Sequence, residues 1–139
     1  MTDPLVEAFE TQTLDPARFG HREHLRVAWC YLRGMPLEEA LARYARNLRA
    51  LTAHLGIPGK YHATITWSYL LLLDEVMRRL PHADFDEILA VCPALLDGRL
   101  LSGLGLHRAN EARERFILPA VREVVAEHLD MLDIAAANR

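Results

Sequence analysis

Lysine is nearly missing from this chain: Lys60 is the only one among 16 basic residues, the others all being arginine. With 19 acidic residues set against them, the formal net charge is -3. No basic excess is left to attract nucleic acid or an anionic membrane, so neither is expected as a partner. Cysteine is just as scarce. Cys30 and Cys92 are the whole complement, too few for a disulfide framework and too far apart in sequence for a C-x-x-C redox pair. They read as reduced, largely buried thiols, and the chain as cytoplasmic. Long apolar runs are also absent, since the leucines from Leu70 to Leu73 are far too few to span a bilayer. The acidic start, Met1-Thr2-Asp3-Pro4, lacks the charged-then-apolar layout of a secretion signal. No stretch alternates with period two and β-branched enrichment, which argues against a sheet.

What is present fits one ordinary globular domain over residues 1–139, with 51% hydrophobic and 25% charged residues and length enough for a real core. Asp3 and Pro4 open a short helix. A first long helix is expected from about His21 to Arg33, closed by Gly34. A second runs from Pro36 to Gly56, with Leu37, Leu41, Tyr44, Leu48, Leu51 and Leu55 recurring every three or four residues, the cleanest amphipathic signal in the chain. Arg43, Arg46 and Arg49 fall on its other side and read as a solvated face. After the Ile57-Pro58-Gly59-Lys60 loop, a third helix is expected from about Tyr61 to Leu80. Its inner stripe is His62, Thr66, Tyr69, Leu73, Val76 and Leu80. Asp84 and Glu87 form a capping-box pattern for a short fourth helix ending before Pro93. Segment 97–105 is glycine-punctuated and reads as irregular, and two further helices are expected over about 107–118 and 119–134. The expected fold is therefore all-α, a single antiparallel bundle of about five to six helices.

The chemistry-bearing residues are histidines. His21 and His24 stand three apart at the start of the first long helix, about 60° from each other. His62 opens the third. Helices one and three are separated by one antiparallel helix, so their N-termini share one end of the bundle and bring the three imidazoles together. Three neutral imidazoles can hold a divalent transition metal (zinc, iron, copper or nickel) and leave positions for water or substrate. In that reading Tyr61, Thr66 and Tyr69 support the site through their hydroxyls. A fourth ligand is open among His107, Asn110 and Glu111. Glu23 faces away from both neighbouring histidines and is not the base of an H-E-x-x-H site. The alternatives are a metal-free polar pocket with histidine as acid or base, or three hydrogen-bonded core residues. His54, His82, His107 and His128 read as structural or solvated, and Trp29 and Trp67 as core or pocket-wall aromatics.

The pattern Phe19-x-His21-x-x-His24-Leu25-Arg26-x-Ala28-Trp29, followed by Lys60-Tyr61-His62-x-Thr64-x-Thr66, resembles a group of short bacterial proteins. Ala112-Arg113-x-x-Phe116-Ile117-x-Pro119 extends the likeness over most of the chain, and the resembling motifs contain all three histidines. It implies no particular activity. More loosely, the architecture is similar to DinB-like and YfiT-like bundles, in which three histidines hold a metal. Here, unlike there, the paired histidines open the first long helix and no late H-x-x-x-H follows.

Two functional expectations result. One is a small metal-dependent enzyme (a hydrolase, lyase or oxygenase) acting on a small molecule through His21, His24 and His62. The other is a non-catalytic ligand-binding or protein-interaction bundle, expected as a homodimer, whose histidines line a pocket or interface.

Overall fold

A computed structural model describes residues 3–97 and 113–116 of the chain. It is all-α: among the described residues there are five α-helices and no strand. These are α1 (Pro4–Thr11), α2 (His21–Gly34), α3 (Leu37–His54), α4 (Ala63–Arg79) and α5 (Phe85–Val91), with 3-10 turns at Pro16–Arg18, Pro58–Lys60 and Pro93–Leu96. The helices expected over 107–118 and 119–134 lie outside the described residues, apart from 113–116.

Local chemistry sets each boundary. The Asp3 carboxylate accepts the Leu5 N–H at 2.8 Å, with Pro4 in the first turn where no N–H is needed. That carboxylate also meets Arg26 at 3.1 Å, which ties the start of α1 to α2. Gly34 remains helical, and the chain leaves α2 at extended Met35. Only Met35 and Pro36 then separate α2 from α3, so the chain must reverse at once. Pro36 is the N-cap of α3 and not its first residue. Beyond the end of α3, Gly56 takes φ +74, a left-handed conformation that suits glycine. The capping box of α5 forms as its sequence requires: Asp84 accepts the Glu87 N–H, and the Glu87 side chain accepts the Asp84 N–H.

Helices α2, α3 and α4 pack on one another, and α1 lies across α2 and α3. Phe9 of α1 is fully buried, stacked on Phe19 at 5.7 Å and on Tyr44 of α3 at 5.3 Å. Leu72, Leu73 and Val76 of α4 join Phe85, Ile88 and Leu95 in the same core. Burying side chains of this size is worth roughly 1.5–3 kcal/mol each before entropy is counted. The arginines of α3 do more than face water. Arg43 reaches Glu10 of α1 at 3.1 Å, while Arg49 donates to the Glu114 carbonyl at 3.2 Å. Trp29 is core, as expected, and Trp67 stacks on Phe116 at 5.6 Å. No helix among the described residues is long and apolar enough to cross a membrane.

Candidate functional site

The first long helix, α2, begins at His21, which places both of its histidines in the opening turn. The His21 ring binds the Leu95 carbonyl through Nε2 at 2.7 Å. A carbonyl only accepts, so Nε2 carries the proton and Nδ1 keeps its lone pair. The ring also meets the edge of Tyr69 of α4, with centroids 4.8 Å apart. The Tyr69 hydroxyl in turn donates to the Asp97 carbonyl at 2.8 Å. Burial first, and then the Asp97 charge, push that phenol up to about 12.

His24 lies one turn further on, beneath the Phe19 ring at 4.3 Å. Its Nδ1 is 3.1 Å from the Tyr44 hydroxyl of α3, which itself donates to the His24 carbonyl at 3.3 Å. Burial, with His21 as a like-charged neighbour, lowers the His24 pKa to about 4. The imidazole is therefore neutral at pH 7.

His62 departs from its expected place. It is not in the first turn of α4 but is the helix's N-cap, with extended backbone, and its Nδ1 accepts the Ile65 N–H at 3.2 Å. The 3-10 turn at Pro58–Lys60 delays the helix to Ala63 and frees His62 to fold back on it. An Nδ1 that accepts has no proton, so the neutral ring carries its proton on Nε2.

The three histidines line one pocket between α2, α3 and α4, with a volume of about 360 Å³. Thr66 and Tyr69 line it with them. So do three groups that sequence reasoning assigned elsewhere: Phe19, Tyr44 and Lys60. Tyr44 had its place in the apolar stripe of α3, where its hydroxyl sets it apart from the surrounding leucines. Lys60 stood in a loop, where its being the sole lysine and its place in the motif with His62 were the available signals. Tyr61 is not among the lining residues. It turns to the Arg49 guanidinium, 4.8 Å from its ring centre, and burial raises its pKa against the pull of that charge. His107, Asn110 and Glu111, the open candidates for a fourth ligand, lie outside the described residues.

As a metal centre the donor set fits poorly. Among the described residues no three of His, Cys, Asp and Glu stand where they could share a metal ion. The hydrogen bonds give the reason. With Nδ1 capping α4 and the proton on Nε2, His62 has no lone pair to offer unless the cap is broken. Each imidazole bonds to a different protein group, and the site as built is a set of separate donors and acceptors around a cavity. The walls between them are apolar, formed by Leu25, Ala28, Leu48 and Leu70.

No family model matches the chain, and no curated protein or solved structure matches it, so the reading of the site rests on its own residues.

Proposed function

We propose that the protein binds a small organic molecule in the α2–α3–α4 pocket, with the histidines supplying hydrogen bonds and not metal ligation. The observation that carries this reading is that His21, His24 and His62 line a single cavity while each ring already bonds to a different protein group. The volume, about 360 Å³, falls within the size range of small-molecule pockets, and apolar walls with a few convergent polar groups are their usual lining. His24, kept neutral by burial, offers a hydrogen bond and not a charge. Two free thiols, Cys30 and buried Cys92, support a reducing, cytoplasmic setting for this binding role.

A three-histidine metal enzyme is the competing reading, favoured by the convergence of the rings on one cavity. It requires three imidazole lone pairs aimed at one point, about 2.1 Å from each donor. Elemental analysis of tag-free protein separates the two. Zinc, iron, copper or nickel at one equivalent, lost when His21, His24 and His62 are all replaced by alanine, would overturn the proposal. Small organic molecules that bind chelator-treated protein, with the same affinity as untreated protein, would support it.

A further inference from the structure

The charge around the pocket is one-sided. Lys60, the chain's only lysine, lines it, and among the described residues that line it there is no carboxylate. Two acids come near without joining the lining. Asp97 acts on the Tyr69 phenol from beyond its hydroxyl. Glu23 bends toward the start of α2, its Oε2 3.7 Å from where a side chain on Gly20 would begin. Of the other polar groups in the lining, the Thr66 hydroxyl can donate, while His24, whose Nδ1 proton goes to the Tyr44 hydroxyl, keeps a lone pair on Nε2, and His21 keeps one on Nδ1. Leu25, Ala28, Leu48, Ile65 and Leu70 supply hydrocarbon, and Phe19, Tyr44 and Tyr69 supply aromatic rings.

A cavity with one lysine at its rim, no carboxylate in its described lining and largely apolar walls discriminates by charge. A cationic ligand meets Lys60 with no compensating partner. A neutral one leaves the ammonium to solvent. An anion with a short apolar body satisfies both halves, its charge against Lys60 and its carbon chain against the leucines. We infer that the ligand of this pocket is a small organic anion, a carboxylate on a short hydrocarbon body, with Lys60 as its counter-charge. This inference rests on the small-molecule reading above and adds the class of the molecule.

The test uses three probes of equal length, sodium hexanoate, 1-hexanol and hexylammonium chloride, titrated calorimetrically into the tag-free full chain at matched ionic strength. Hexanoate is expected to bind about ten-fold or more tightly than hexanol, the difference a charge-assisted hydrogen bond makes, and hexylammonium the most weakly. In Lys60→Met the hexanoate advantage is expected to vanish while hexanol affinity is retained. Lys60 is exposed, so this variant should keep the fold, which its thermal melt checks. Equal binding of hexanoate and hexanol, preference for hexylammonium, or a hexanoate preference that survives Lys60→Met would each overturn the anion inference and leave the pocket standing. Failure of all three probes to bind would instead count against the pocket reading itself, and the inference would fall with it.

Discussion

At the scale of single residues, His24 and His62 are held by opposite means, and each makes a prediction. His24 is neutral because burial and neighbouring His21 lower its pKa from 6.5 to about 4. Its folded-state pKa lies below its unfolded value, so between those limits the unfolded chain binds the proton more readily. Stability is therefore undiminished above pH 6.5 and falls as the pH drops toward 4. With one pKa unit worth about 1.4 kcal/mol, the loss from this residue approaches roughly 3 kcal/mol. Urea midpoints measured at steps from pH 7 to 4 should fall over this range, and His24→Gln should flatten the curve. A His24 ring that titrates near 6.5 by NMR would show that its burial costs nothing. His62, by contrast, caps a helix. His62→Ala should lower stability by about 1 kcal/mol, the ordinary worth of an N-cap, whereas His62→Asn should restore most of it. If asparagine is no better than alanine in thermal melts, the capping role is wrong.

At the scale of elements, the pocket depends on how α2 and α4 are held to the turn at Pro93–Leu96. His21 bonds to the Leu95 carbonyl and Tyr69 to the Asp97 carbonyl, so two lining residues also anchor the chain leaving α5. Removing one anchor should loosen that segment before it affects the core. His21→Ala is expected to speed amide exchange over residues 94–97 while α3 amides stay protected. Uniform acceleration through all helices would mean that His21 supports the whole fold and not this joint. Leu95 itself is fully buried, which explains why so short a turn is fixed well enough to accept a hydrogen bond from another element.

At the scale of the molecule, the helical architecture was legible because its signal is periodic. Leucines and Tyr44 at three- and four-residue spacing fix α3, and Asp84 with Glu87 fixes the start of α5. The shared end of the bundle followed from topology: two short connections bring His21, His24 and His62 to one cavity. What the sequence hid was mostly conformational. Nothing in Lys60-Tyr61-His62 marks where the 3-10 turn ends, and the displacement of α4 by two residues puts His62 at the helix's N-cap and not inside its first turn. Tyr61 is diverted by Arg49, a partner 12 residues away in sequence that no local pattern pairs with it. Thr64 and Ser68, both buried on α4, escaped an amphipathic reading because α4 is covered on more than one side. Thr64 donates to the Arg115 carbonyl at 3.0 Å, bringing the 113–116 segment onto a face that reads as polar.

The central claim is that three histidines from two elements line one ligand cavity. It is tested most directly by NMR of histidine ring nitrogens during a titration with hexanoate. The account predicts that the His21, His24 and His62 signals shift together along one saturating curve, while exposed His54 and His82 stay fixed. Ring signals that move independently, or movement confined to His54 and His82, would contradict it.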